Sequence, residues 1–294
     1  MSALHIYSAL TCGVFMLSTS AIFARLADAS PVIIAFYRLL FASCALWPAV
    51  LIGKSTREEL SRAALRDVLP CVAGGFFLAV HYVMWFMSIR LTNVSSSTVL
   101  ASLQPLFSMF LGWMFLGEGL SKKSAVGAAI ALAGTFIIGG GDFRADPRAL
   151  VGDVVALISG AVISLYYFFG QIACRRFSNT VFATIGYSSS VVTLLSAALI
   201  MGTPFTGYSR GTWGCFLGLA FVSTIGGQMV LTALLKHITA TMVTMSILAE
   251  PIGVCILAAV FLHEFPTPQL MLGMPVILAG LFLFFGGQKK KASA

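Results

Sequence analysis

Two 45-residue stretches of this chain carry the same landmarks at a constant offset of 146 residues. The first, Ser97 to Gly141, contains Gln104-Pro105, Glu118, Gly127, Gly134 and Gly140-Gly141. The second, Val243 to Gly287, contains Glu250-Pro251, Glu264, Gly273, Gly280 and Gly286-Gly287. A duplicated unit of this kind limits the chain to two similar halves. In a membrane the orientation of the halves depends on how many spans each contains.

Composition places the chain in a membrane. Of 294 residues, 59% are hydrophobic and only 10% charged, with mean hydropathy +0.96. Soluble domains carry about 25% charged residues. Ten apolar spans can be marked, at 4–24, 32–52, 68–89, 94–116, 124–141, 150–172, 180–202, 212–235, 239–262 and 268–287. Each is long enough to cross ~30 Å of hydrocarbon at ~1.5 Å per residue. Ten-residue alternating segments, the mark of a transmembrane barrel, are missing.

The expected fold is all-α, with ten transmembrane helices in two five-helix repeats. The first repeat covers 1–141, a linker 142–149, the second repeat 150–288, and a basic tail 289–294. Five is odd, so the second repeat enters from the opposite face and is inverted. Twelve Lys and Arg residues fall on one side, among them Lys54, Arg62, Lys122, Arg175, Lys236 and Lys289–Lys291. Five fall on the other: Arg25, Arg90, Arg144, Arg148 and Arg210. The positive-inside rule makes the first side cytoplasmic and places both termini there. The expected location is the inner (cytoplasmic) membrane, crossed many times. The net charge of +8 is scattered over short loops, which suits anionic lipid headgroups and not nucleic acid.

Gly127, Gly134, Gly273 and Gly280, and the Gly214-x-x-x-Gly218 pair, read as close-packing faces. Spans 5 and 10 are also a candidate homodimer face. Cys12, Cys44, Cys71, Cys174, Cys215 and Cys255 lack a CxxC pair and read as small buried hydrophobes. The expectation is no metal and no cofactor. Glu118 reads as a solvated partner of Lys122 and Lys123. Its duplication at Glu264 points to a structural role.

The chain resembles the drug/metabolite transporter superfamily, and within it the ten-helix EamA-type members. The resemblance rests on Arg90-Leu-Thr-Asn-Val-Ser-Ser-Ser-Thr-Val-Leu-Ala-Ser-Leu-Gln-Pro-Leu-Phe107 and Phe115-Leu-Gly-Glu118. In the second copy it rests on Ile247-Leu-Ala-Glu-Pro251 and Phe261-Leu-His-Glu264, and in span 2 on Pro31 and Arg38. It covers essentially the whole chain. Span 1 reads Phe15 to Phe23 without the Trp-Gly-x-x-Phe signature that many members carry. The resemblance implies a carrier of small metabolites, often an exporter of amino acids and related compounds, with a cavity between its halves.

Within the spans, ionisable and polar residues mark the candidate substrate site. Glu250 lies about 11 residues into span 9, ~16 Å deep, where a carboxyl can bind an ammonium group or carry a coupling proton. Pro251 beside it frees a backbone carbonyl. Gln104 is its counterpart in span 4. His81 and Trp85, four apart on one face of span 3, join Tyr82, and His81 is a second candidate for proton coupling. Gln228, the counterpart of Tyr82, together with Tyr166, Ser20 and Arg38, completes the set. Arg38 suits a substrate carboxylate, or snorkels to the outer headgroups.

No nucleotide-binding motif is present, so transport is expected to be passive or ion-driven and not enzymatic. The function read from the chain is alternating-access transport of a small zwitterionic or cationic metabolite, with amino acids first; export is what the resemblance implies. A lipid or lipid-linked precursor flippase on the same fold is the alternative.

Overall fold

The computed structural model describes residues 3–92, 94–139, 147–261 and 268–287. Every regular element among them is helical. In chain order these are α1 (Ala3–Leu26), α2 (Pro31–Ile52), α3 (Lys54–Ser61), α4 (Leu65–Leu91), α5 (Val94–Ala101), α6 (Gln104–Leu116), α7 (Lys122–Gly139), α8 (Pro147–Ala173) and α9 (Asn179–Ile200). After α10 (Arg210–Gly218) comes a π-helical segment, Leu219–Gln228, then α11 (Met229–Ala233), a 3-10 turn, α12 (Ala240–Ile247), α13 (Glu250–Phe261) and α14 (Pro268–Gly287).

Among the described residues, seven stretches are long and apolar enough to cross a membrane: Leu4–Leu26, Pro31–Ile52, Leu65–Leu91, Leu150–Ala173, Asn179–Ile200, Arg210–Lys236 and Ala240–Phe261. Gln104–Leu116 and Met271–Gly287 are shorter apolar helices. Large apolar side chains such as Ile52, Trp113, Ile200 and Phe282 stand on the outside. In water this surface would aggregate; in a bilayer it is the lipid face.

The few polar residues between spans set the helix starts. The Ser30, Ser178, Ser209 and Thr239 hydroxyls accept from the N–H groups of Ile33, Val181, Thr212 and Met242, respectively. Each satisfies a donor that the first helical turn leaves unpaired. The polar stretch after α2 contains a short helix, α3, that the apolar pattern did not mark. Glu59 on α3 accepts from Ser178 N–H at 2.7 Å, and Arg176 pairs with Asp67 at 2.8 Å. Several residues of the more basic side are thereby gathered at one end of the bundle.

Glycines allow the closest helix crossings. A Cβ on Gly127 would lie 2.3 Å from Phe284 N, and one on Gly280 2.3 Å from Ala131 N. Gly134 meets Ile277 and the Gly273 carbonyl in the same way. The matched glycine faces of spans 5 and 10 are therefore spent on each other, α7 against α14, within one chain. A homodimer through these helices would have to use their opposite faces. In the Gly214–Gly218 pair only Gly218 is tight, against Phe23, while Gly214 faces open space. The cysteines also divide: Cys71, Cys174 and Cys215 are buried, whereas Cys12 and Cys44 are exposed on the apolar surface.

Spans 4 and 9, each expected as a single span with Pro251 freeing a carbonyl in the second, are both broken, and at the same place. α5 ends at Ala101 and α6 begins at Gln104; α12 ends at Ile247 and α13 begins at Glu250. At each break the chain tightens into three-residue turns. Leu103 N–H bonds Leu100 O, as Ala249 N–H bonds Ser246 O; Leu106 N–H bonds Leu103 O, as Ile252 N–H bonds Ala249 O. These bonds superimpose under the 146-residue offset. The cause is Pro105 and Pro251, which have no N–H to give and whose rings crowd the preceding turn.

Candidate functional site: a polar cavity at two broken helices

The breaks are held open from outside. Ser164 of α8 donates to the Gln104 carbonyl at 2.8 Å, and Ser18 of α1 donates to the Glu250 carbonyl at 3.2 Å. Ser18 and Ser164 are themselves 146 residues apart. Each break in one half is thus pinned by the first helix of the other, and backbone that leaves the helical ladder at membrane depth finds partners inside the protein.

Between the breaks lies a narrow cavity of about 40 Å³. Its wall contains Ser20, His81, Tyr82, Trp85, Gln104, Gln228 and Glu250, seven of the nine residues expected from the sequence. Arg38 and Tyr166 are not in the wall. Thr98, Ser102 and Tyr167 are, with Leu17, Ala101, Ile163 and Ile247 as the apolar part. Tyr166 faces away into packing with Phe182 and α4, and its neighbour Tyr167 takes the cavity position. Two consecutive helical residues point about 100° apart, and nothing in the local pattern distinguished them. Thr98 and Ser102, four apart in the polar run before Gln104, were the one signal that could have been read.

His81 is oriented by α8. Its Nδ1 lies 2.9 Å from the Ser159 carbonyl. A carbonyl only accepts, so Nδ1 carries the hydrogen, and in the neutral ring Nε2 is left as an acceptor. The ring lies parallel to Trp85 at 6.1 Å between centroids. Trp85 Nε1 and Thr98 Oγ1 have no hydrogen-bond partner, and Tyr82 OH and Gln228 Nε2 lie near Arg38 and the Tyr166–Tyr167 pair, respectively, without forming a well-aligned bond. Buried polar groups are normally paired, so a cluster of unpaired donors around one cavity marks a place for a polar solute.

Arg38 is fully buried, which overturns snorkelling to the headgroups. Its Nε donates to Thr224 Oγ1 at 2.7 Å and its Nη1 to Ser20 Oγ at 2.5 Å. It lies 4.0 Å over the Tyr82 ring. Arg38 therefore stands one layer behind the wall. Thr224 and Gln228 both sit on the π segment, where Thr224 OH reaches back to Leu219 O at 2.8 Å. π turns are rare and concentrate at functional sites. Gly227 lets this wide turn press against Leu17 of α1.

Glu118 does not pair with the lysines. Gln171 Nε2 of α8 donates to it at 2.6 Å, and Gln171 Oε1 accepts from Ala240 N–H of α12 at 2.5 Å. Thr241 OH reaches the other carboxylate oxygen at 3.4 Å. One amide thus ties the end of α6 to the start of α12, beside a cleft lined by Cys174, Arg175 and Lys236. The structural role expected of Glu118 has a concrete form here; Glu264 lies outside the described residues. Removing the amide with Gln171→Leu forfeits two buried hydrogen bonds, together about 2–3 kcal/mol. Labelling of the buried Cys174 thiol by a membrane-impermeant maleimide is expected to quicken about tenfold or more. An unchanged rate would show that the cleft is held shut by packing alone.

Three comparisons bear on what this site belongs to. The EamA-like transporter family matches residues 5–140 and 150–286. An uncharacterised transporter of Bacillus subtilis (strain 168), YxxF, is 23% identical over 87% of this chain and 83% of its own length. A protein of Streptantibioticus cattleyicolor named a probable terminal-alkyne amino-acid exporter is 26% identical over 79% of each chain. The pseudopaline exporter CntI of Pseudomonas aeruginosa is 22% identical over 58% of this chain and 59% of its own. A crystal structure with 18% identity superposes with a TM-score of 0.78, covering 98% of this chain and all of the other, and it supports the fold alone. Multi-pass apolar helices and a family match across both halves lead to one conclusion: the chain is a transporter of the EamA-like transporter family.

Proposed function

We propose that this transporter is a secondary carrier that moves a small zwitterionic or cationic metabolite, foremost an amino acid or a close relative, out of the cell. In this reading it crosses the inner membrane ten times as two inverted five-helix repeats, with both termini in the cytoplasm. The carrying observation is Glu250. It is a carboxyl group on the wall of the cavity between the two broken helices, at the start of a helix broken by Pro251. An ammonium group entering the cavity would meet that carboxyl and the ring faces of Trp85 and Tyr167. The exporter names of two relatives support direction, and the amino acid in one of those names supports substrate class. Glu250 and His81 are the groups available to couple transport to protons.

A flippase reading draws on one feature. An apolar groove of about 360 Å³ runs between α1 and α13–α14, lined by Val14, Phe15, Ala249, Gly253 and Leu278, among others. An acyl chain would fit such a groove.

Thermal denaturation of the purified protein against amino acids, polyamines, quaternary amines, nucleosides and lipids tests both readings. A ligand at 100 times its Kd stabilises the folded state by about 2.7 kcal/mol. Stabilisation by amino acids or amines, lost in Glu250→Gln, is the expected result. Stabilisation by lipids alone would sink the metabolite reading in favour of the flippase.

A further inference from the structure

We infer that the cavity contains an anion subsite that takes a single carboxylate, built from the Ser20 and Tyr82 hydroxyls and held in place by Arg38 behind them. The inference rests on the reading of Glu250 as the ammonium site and extends it to the other end of the substrate.

Arg38 is a buried cation that forms no ion pair among the described residues. Two of its nitrogens are spent on hydroxyl oxygens and the third, Nη2, is unpaired. Glu250 is near enough for its charge to be felt by Arg38 but forms no ion pair with it; a buried charge so incompletely balanced is costly, and proteins retain one where a closer partner arrives. Arg38 itself does not reach the cavity. It acts through what it touches.

A hydroxyl that accepts from a guanidinium has its own hydrogen left to donate. For Thr224 that hydrogen goes to the Leu219 carbonyl. Ser20 differs. The carbonyl of Met16, four residues back, is taken by Thr19, and Ser20 lines the cavity. Its O–H is therefore free to point inward, polarised by Arg38. Tyr82, under the same guanidinium, also lines the cavity and leaves its phenol hydrogen unpaired. Two O–H donors backed by one positive charge form a receptor for one monoanionic oxyanion. No Lys or Arg is on the wall and Arg38 stands behind it, so a phosphate dianion would be poorly balanced. Arg38 is a positioning residue, and Ser20 and Tyr82 make the contact.

The test uses the full chain and three probes that lack a side chain, so that the natural substrate need not be known: acetate, methylammonium and glycine. Melting temperatures are titrated with each at fixed ionic strength, for the parent, Ser20→Ala, Ser20→Thr, Tyr82→Phe and Glu250→Gln. Acetate is expected to raise the melting temperature saturably in the parent and in Glu250→Gln. Its half-saturation should rise about tenfold in Ser20→Ala and in Tyr82→Phe, and return in Ser20→Thr. Methylammonium should stabilise Ser20→Ala as it does the parent, and glycine should outperform both fragments. Tyr82→Phe removes a single unpaired oxygen and keeps the test open if Ser20→Ala does not fold. An acetate effect that is absent, or equal in the parent and both hydroxyl variants, would overturn the subsite. A methylammonium effect absent from the parent while acetate behaves as expected would overturn only the reading of Glu250. Silence from all three probes would overturn both.

Discussion

Glu250→Gln is expected to abolish proton-driven transport in proteoliposomes, with rates about 100-fold or more below the parent, while the protein remains folded. Gln has nearly the same shape and keeps an acceptor oxygen, so the cavity wall and the turn at Leu248–Ala249 should persist. The turn depends on Pro251 and on Ser18 donating to the residue-250 carbonyl, neither of which involves the side chain. What is lost is the negative charge and the capacity to carry a proton. A charged partner lost from a buried ion pair costs about 2–5 kcal/mol, or roughly 30-fold to several thousand-fold in affinity. Uptake driven by an imposed pH gradient and substrate exchange without a gradient separate the two roles. Loss of the first with survival of the second would make Glu250 a proton carrier alone. Loss of both is expected, because one carboxyl serves substrate and proton. Gradient-driven uptake at the parent rate would remove Glu250 from the mechanism.

How far the sequence led is clearest at Gln104 and Glu250. Their depth, their prolines and their 146-residue relation could all be read from the chain, and the structure puts them on one cavity. Breaks by two residues in both helices go further than the proline alone implied. They depend on Ser18 and Ser164 pinning the carbonyls, a contact between halves that the repeat aligns but does not reveal. Arg38 was legible as an intramembrane charge. Its direction was not, because whether a long side chain snorkels or turns inward depends on partners such as Ser20 and Thr224 on other helices. The π segment left no sequence trace beyond Gly226-Gly227; it widens the turn that carries Gln228 into the cavity. Glu118 misled because Lys122 and Lys123 are near in sequence, whereas Gln171 is near in space. Periodicity and depth thus found the residues that face inward, and tertiary contacts decided which of them touch the cavity.

Gly75→Ala is expected to destabilise the protein by about 3 kcal/mol or more, while Gly186→Ala at the same crossing should be tolerated to within about 1 kcal/mol. The two glycines face each other where α4 meets α9, yet their surroundings differ. A Cβ on Gly75 would lie 2.0 Å from the Gly186 carbonyl oxygen and under 3 Å from its carbon and Cα. All three are backbone atoms that no rotamer change can move, so the helices must part. Parting them breaks the bond from Ser190 OH to Gly75 O at 2.6 Å and that from Ser189 OH to Val72 O at 2.9 Å. It also shifts α4, which carries His81, Tyr82 and Trp85 into the cavity, so ligand stabilisation should fall with stability. A Cβ on Gly186 points elsewhere, 3.5 Å from the Cys71 carbonyl, an ordinary contact. Gly214→Ala supplies the opposite sign: it faces open space within α10, where alanine favours the helix by up to about 1 kcal/mol. Melting temperatures of the three variants should therefore rank Gly214→Ala highest, Gly186→Ala near the parent and Gly75→Ala far below. Equal losses at Gly75 and Gly186 would mean that α4 and α9 do not cross as described, and the cavity wall built on α4 would have to be redrawn with them.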